Sequence, residues 1–136
     1  MHSADAGPLY ATYDADDAEH RVCRRLLETF RGPLLVPILV VTEVAYLLAT
    51  RIGTETEVRF LGDLAAGNLI PEHVAAPDWL RMAELVGRYH DLPLGSVDAS
   101  IVAIAERLGT RAIATLDRRQ FSVVRPAHTS NFELVP

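Results

Sequence analysis

Apolar residues recur at helical spacing along most of this chain, and short apolar runs separate the helical stretches. In SVDASIVAIAERL, residues 96–108, the apolar positions 101, 104, 105 and 108 lie three or four residues apart and form one stripe along a helix. Gly109 follows directly, as expected of a residue that ends a helix. Similar patterns predict six helices: Gly7 to Tyr13, Asp17 to Phe30, Ile38 to Arg51, Thr54 to Ala66, Pro77 to Tyr89 and Ser96 to Leu108.

The runs between these helices have the length and composition of short β-strands. The predicted strands are the few residues before Asp5, then Leu34 to Val36, Leu69 to Glu72, Ala112 to Leu116, Ser122 to Val124 and Asn131 to Leu134. Helices that alternate with short apolar strands are typical of a mostly parallel sheet with helices on both faces. The pattern therefore predicts an α/β fold with a central sheet of about four to five short strands.

Length and composition favour one domain over residues 1–136, because 136 residues with 49% hydrophobic content can bury a single sizeable core. The only cysteine, Cys23, cannot form an internal disulfide, which fits a reducing compartment and a structural role.

The longest apolar run, Leu34 to Ala49, is interrupted by polar residues and is shorter than the roughly 20 residues of a membrane span. No signal peptide is evident, so we expect a cytoplasmic protein without a membrane partner.

The net charge of −5 argues against a protein that coats nucleic acid by charge alone. It is compatible with a nuclease, whose carboxylates would gather around metal ions. All thirteen basic residues are arginines. The absence of lysine excludes a P-loop and a Schiff-base enzyme, and it argues against phosphorylated-aspartate receivers and phosphatases.

Four acidic residues stand at positions where a carboxylate needs an explanation. Glu43 lies in a helix with apolar residues on nearly every side, and it could be a marginal residue that reaches solvent. Asp98 lies in a first helical turn, where the helix dipole favours an acid. Asp117 could begin a turn, and Asp5 could cap a helix.

The predicted topology brings Asp5, Glu43, Asp98 and Asp117 to one crevice at the carboxyl ends of the strands, where open α/β sheets bind their ligands. Carboxylates gathered in one place repel each other and raise each other's pKa unless a cation neutralises them. Mg²⁺ or Mn²⁺ suits such oxygen ligands, whereas the lack of Cys/His clusters argues against zinc. These residues together predict a divalent metal site.

The ordered set of acidic motifs resembles the PIN domain, specifically the VapC-type toxins of bacterial toxin–antitoxin modules. The motifs are DAGPLY at Asp5, VTEVAYLLATRIG around Glu43, LGSVDASIVAIAERLGT around Asp98 and IATLDRRQF around Asp117. They cover nearly the whole chain in order and spacing. Two features depart from the family pattern, because only MHSA precedes the first acid and Ala6 stands where the family often has Thr or Ser.

The resemblance implies a Mg²⁺- or Mn²⁺-dependent endoribonuclease whose metal-binding and catalytic acids are Asp5, Glu43, Asp98 and Asp117. Thr115 matches a hydroxyl position often found beside that site. The resemblance also implies an RNA substrate, a cognate VapB-type antitoxin and a homodimer, for which the apolar content of helices Ile38 to Arg51 and Thr54 to Ala66 suggests an interface.

Arg118 and Arg119 directly follow the fourth acid, and they could contact RNA phosphates or acidic groups of an antitoxin. Solvated surface arginines are an equally good interpretation. The alternative to a nuclease is a catalytically silent PIN-like scaffold that binds RNA or a protein partner and keeps the acids as a passive site.

Overall fold

Five strands and seven helices make up the protein, and the computed structural model describes all residues from Met1 to Pro136. The strands are β1 (His2–Ala4), β2 (Leu34–Pro37), β3 (Ile70–Glu72), β4 (Ala112–Ala114) and β5 (Glu133–Val135). The helices are α1 (Ala6–Tyr13), α2 (His20–Thr29), α3 (Ile38–Arg51), α4 (Thr54–Ala65), α5 (Ala76–Arg88), α6 (Ser96–Leu108) and α7 (Arg118–Val123). The predicted α/β class is confirmed.

The five strands form one parallel sheet in the order β3-β2-β1-β4-β5. The chain builds outward from β1 to β3 and then returns through α5 and α6 to place β4 against the other side of β1. The strand order therefore reverses between β1 and β4, and the carboxyl ends of these two strands flank a crevice. Although β1 has only three residues, it is held because it pairs with strands on both sides.

Helix α6 lies in the centre of the core, since every residue from Ala99 to Ala105 is buried. This burial on all sides explains why the segment is apolar beyond a single stripe. The helix ends at Gly109, which has a φ of 72° in the left-handed region that favours glycine. These features fix the beginning of α6, and thus Asp98, against the edge of the sheet.

The predicted strand Ser122 to Val124 is wrong, because residues 118–123 form helix α7. Phe121 and Val124 are both buried, three residues apart, while Val123 between them is 46% exposed. That spacing suits a helical turn and not the alternation of a strand. The Phe121 ring packs edge-on against Phe132, at 6.5 Å between ring centroids. The last predicted strand does form, one to two residues later than expected, as β5.

Two expectations from composition can also be compared with the structure. Cys23 is fully buried in α2, and burial raises the pKa of its thiol to about 11, which fits an unreactive structural residue. None of the helices has the length and apolar character required to span a membrane.

Candidate active site

All four predicted acids line one cleft at the carboxyl edge of the sheet. Asp5, Glu43, Asp98 and Asp117 are brought there by β1, α3, α6 and the segment after β4, respectively, and the cleft has a volume of about 720 Å³. Residues up to 112 positions apart in sequence thus share one site. The ordinary explanations for single acids do not account for this convergence.

Asp5 is the most firmly held of the four carboxylates. It is 9% exposed, its Oδ1 accepts a hydrogen bond from the Ala6 amide at 2.7 Å, and its Oδ2 accepts one from the Thr115 hydroxyl at 2.9 Å. Burial raises the pKa of the Asp5 carboxyl and the charge of Asp117 adds to the rise, while these two hydrogen bonds oppose it. Asp5 does act as the cap of α1, and it also faces the cleft.

Thr115 connects two of the acids from beneath the cleft. Its side chain is buried, its hydroxyl donates to Asp5, and the same oxygen accepts a hydrogen bond from the Asp117 amide at 3.0 Å. The Thr115 amide in turn donates to the Val135 carbonyl in β5 at 2.8 Å. Thr115 therefore orients the Asp5 carboxylate and fixes the backbone that carries Asp117.

Asp117 and Glu43 are the two exposed acids of the cleft. Asp117 is the residue that precedes α7, yet its side chain makes no capping hydrogen bond, so capping does not explain it. Partial burial, followed by the charge of Asp5, raises the pKa of the Glu43 carboxyl. Neither side chain is held by hydrogen bonds like those that orient the carboxylate of Asp5.

Asp98 lies in the first turn of α6 and is partly buried. Burial raises the pKa of its carboxyl to about 7, and the charges of Asp5, Asp117 and Glu43 add to the rise. No hydrogen-bond donor offsets these effects.

The chemistry of this donor set fits a hard divalent cation, because it offers carboxylate oxygens only and no arginine lowers the pKa of Asp5, Glu43 or Asp98. As the side chains stand, however, no three acidic, histidine or cysteine side chains are close enough to hold one ion between them. Binding would therefore require the exposed carboxylates of Glu43 and Asp117 to turn inward toward Asp5 and Asp98.

Replacement of Thr115 by Val tests the role of its hydroxyl. We expect Thr115→Val to lower any metal-dependent activity of the site by about 10- to 100-fold, as is typical when a group that orients a ligand is lost. Thr115→Ser is the matched control, because it keeps the hydroxyl and should stay within a few-fold of the parent. Equal activity of the Val and Ser variants, measured as initial cleavage rates, would show that the hydroxyl does not position Asp5.

The two arginines after the fourth acid differ in their contacts. Arg118 donates to the carbonyl oxygen of Pro136 at 2.8 Å, so part of its hydrogen-bonding capacity is used within the chain. Arg119 is exposed. Neither side chain lines the cleft, and their binding to RNA or an antitoxin stays a prediction.

Leu116 belongs to the cleft but was not among the residues predicted from the sequence. It lies between Thr115 and Asp117, it is 39% exposed, and its side chain lies over the backbone of Gly7. The predicted strand Ala112 to Leu116 implied that this residue pairs within the sheet. Because β4 ends at Ala114, Leu116 lies outside the strand and lines the cleft.

A second cavity, of about 780 Å³, lies between α1, α2 and α4 and contains none of the four acids. Its polar groups already have partners, since Tyr13 and Asn68 both bond to Asp63 and Arg24 pairs with Glu28. The acidic cleft is therefore the better candidate for the active site.

Comparison with known proteins agrees with this geometry. Residues 4–125 match the model of the PIN domain family. The chain is 36% identical to Ribonuclease VapC26 of Mycobacterium tuberculosis over 132 residues, which is 97% of this chain and 98% of the relative. The fold matches the crystal structure of M. tuberculosis VapC20, described as a Sarcin-Ricin loop cleaving toxin, with a TM-score of 0.82 and 21% identity over 96% of this chain and 99% of that one. It also matches a toxin-antitoxin complex from Klebsiella pneumoniae, with a TM-score of 0.72 and 17% identity over 97% of this chain and 99% of that one. The chain therefore belongs to the PIN-domain family, as a protein of the VapC type.

Proposed function

We propose that this protein is a Mg²⁺- or Mn²⁺-dependent endoribonuclease that acts as the toxin of a type II toxin–antitoxin module. The observation that carries the proposal is the cleft in which four carboxylates converge without a neutralising cation from the chain. The name of Ribonuclease VapC26 supports an action on RNA, since the two sequences align over nearly their full lengths. Asp5, Glu43, Asp98 and Asp117 are the residues that would hold the ion.

A divalent ion at this site would polarise water and the scissile phosphate and would compensate the charge of the leaving oxygen. The chain's own residues have separate tasks in this scheme. Asp5 is the fixed ligand, because two hydrogen bonds hold its carboxylate in one orientation. Asp98 lies in the same cleft. Because its pKa is raised, the Asp98 carboxyl is protonated in part of the molecules near neutral pH, and cation binding must displace that proton. Glu43 and Asp117 complete the ligand set by moving inward.

The proposal can be tested in cells by induced expression of the chain and mapping of new RNA ends. We expect growth arrest and a defined set of new ends, because an unrestrained ribonuclease damages essential RNA. Glu43→Gln is the matched inactive variant, since its exposed side chain can be changed without disturbing the core. If the parent chain and this variant grow alike and give the same RNA ends, the ribonuclease proposal fails.

An antitoxin partner forms part of the proposal. Its support comes from solved relatives, which include the toxin-antitoxin complex from K. pneumoniae and VapBC2 from Rickettsia felis. We expect a small VapB-type protein, encoded beside this chain, to co-purify with it and to suppress its toxicity. Free, harmless expression of the chain without any such partner would count against the toxin role.

We also expect a homodimer that forms through α3 and α4. Both helices expose large apolar side chains, namely Ile38 and Tyr46 on α3 and Val58 and Leu61 on α4. Burial of such residues between two copies would remove apolar surface from water. Sedimentation at micromolar concentration should give the mass of a dimer, and Tyr46→Arg should shift the protein toward monomer. A monomeric parent chain would contradict this expectation.

A further inference from the structure

Leu116 is the large exposed aliphatic side chain in a cleft whose other prominent groups are carboxylates. It directly precedes Asp117 in sequence and follows Thr115, which holds Asp5. The backbone on both sides of Leu116 is therefore fixed by the same hydroxyl that orders the acids. Leu116 is therefore in position to contact a substrate bound at the acids.

Gly7 lies close to the side chain of Leu116 in the cleft. A methyl group at position 7 would lie 3.5 Å from both Cβ and Cδ1 of Leu116, which is ordinary van der Waals contact. The side of Leu116 that faces this position is therefore already covered by Gly7. Its φ does not fall in the left-handed region, so this glycine is not required by its backbone conformation.

The charge of the cleft limits how an RNA chain can be held there. Four acids repel the phosphates, and an ion bound between them would offset this repulsion only at the scissile group. Neither Arg118 nor Arg119 lines the cleft. An uncharged contact with the nucleoside next to the scissile phosphate avoids this repulsion, and an aliphatic surface suits the flat face of a base.

On the basis of the proposed ribonuclease function, we propose that Leu116 is a substrate-positioning residue that packs against the base of the nucleotide adjacent to the scissile phosphate. The exposed surface of Leu116, on its sides away from Gly7, is what the base covers. The contact is made to the ground state and the transition state alike. Its loss therefore weakens substrate binding and leaves the chemical step unchanged.

The test measures KM and kcat of the parent, Leu116→Ala and Leu116→Met on a short oligoribonucleotide with the mapped cleavage site. We expect Leu116→Ala to raise KM about 3- to 10-fold with kcat unchanged, and Leu116→Met to restore the parental KM. Val123→Ala is the control, since this residue is 46% exposed but lies on α7 outside the cleft.

A second substrate with an abasic ribonucleotide beside the cleaved bond distinguishes contact with the base from a general effect on the cleft. The parent should lose affinity for an abasic substrate by the same factor as Leu116→Ala loses on the intact RNA. The two changes together should cost no more than either alone, because they remove the same contact. The inference would be overturned if Leu116→Ala and the abasic change, placed on either side of the cleaved bond, raised KM by factors that multiply. It would also be overturned if Leu116→Ala kept the parental KM. Absence of cleavage by the parent would instead refute the proposed function.

Discussion

Replacement of Asp98 by Asn is expected to reduce RNA cleavage on the order of 100-fold or more, with a matching loss of affinity for Mn²⁺. The change keeps the size of the side chain but removes a full negative charge from the centre of the cleft. Asp98 contributes charge and an oxygen ligand from the first turn of the buried helix α6, in the same cleft as the hydrogen-bonded Asp5. Initial cleavage rates and a Mn²⁺ binding titration measure the two losses separately.

The same variant should be more stable than the parent when metal is removed by a chelator. The carboxyl of Asp98 has a pKa of about 7 in the folded protein, above the usual value of an unfolded aspartate, so the unfolded chain releases its proton first as pH rises. The destabilisation of the folded parent protein by Asp98 is therefore absent below about pH 4, grows between about pH 4 and 7, and stays constant above about pH 7. The gain for Asp98→Asn above pH 7 should be on the order of 1–2 kcal/mol, since solvent screening reduces the effect of a partly exposed group.

Asp91→Asn is the matched control for both measurements, because this aspartate precedes the same helix but its side chain is 95% exposed and lies outside the cleft. It should leave cleavage, metal binding and melting unchanged. If Asp98 were only a favourable first-turn residue, Asp98→Asn would lose about 0.3–1 kcal/mol and keep full activity. Full cleavage together with a lowered melting temperature would thus contradict the metal-site interpretation.

Replacement of Asp78 by Ala is expected to destabilise the protein by about 1–3 kcal/mol, which is typical when a buried, charged hydrogen-bond acceptor is removed. Asp78 in α5 is 3% exposed and accepts hydrogen bonds from Arg107 Nε at 3.0 Å and from the Ala75 amide at 2.8 Å. Arg107 extends from α6, so the pair fastens the helix that carries Asp98 to its neighbour. The alanine variant removes this acceptor from the Ala75 amide and from the Arg107 guanidinium, which keeps its contacts with Glu72 and the His73 carbonyl.

Chemical denaturation monitored by circular dichroism measures this loss, and Glu84→Ala provides the control. Glu84 also pairs with an arginine, Arg81 of the same helix, but its side chain is 55% exposed, so its removal should cost well under about 1 kcal/mol. Similar small losses in both variants would show that the Asp78 and Arg107 pair does not anchor α6.

Helices with clear end signals could be located closely from the sequence, whereas one segment whose structure depends on a distant contact could not. The bounds of α3 and α6 match the prediction at both ends, because each is marked by punctuation such as Pro37 and Gly109. The segment after Asp117 was misassigned as a strand, since the burial of Phe121 depends on Phe132, which lies eleven residues later. Local pattern alone does not contain that contact.

The candidate site also has features that the sequence predicted and features that it did not. The four acids were identified from their order and spacing, and the structure places all of them in one cleft. The ion pair of Asp78 with Arg107 was missed, because nothing in their local sequence distinguishes them from surface charges on amphipathic helices. The exposure of Leu116 was missed because it depends on where β4 ends.

The most direct test of the proposed function is a Mn²⁺ titration of the chelator-stripped, antitoxin-free protein, monitored by cleavage of mixed cellular RNA. We predict no cleavage in chelator, a rise to a plateau as Mn²⁺ is added, and loss of that rise in Asp98→Asn. If the protein binds Mn²⁺ but cuts no RNA at any concentration, it is a silent PIN-like scaffold. Cleavage that persists undiminished in chelator would contradict the role assigned to the four carboxylates.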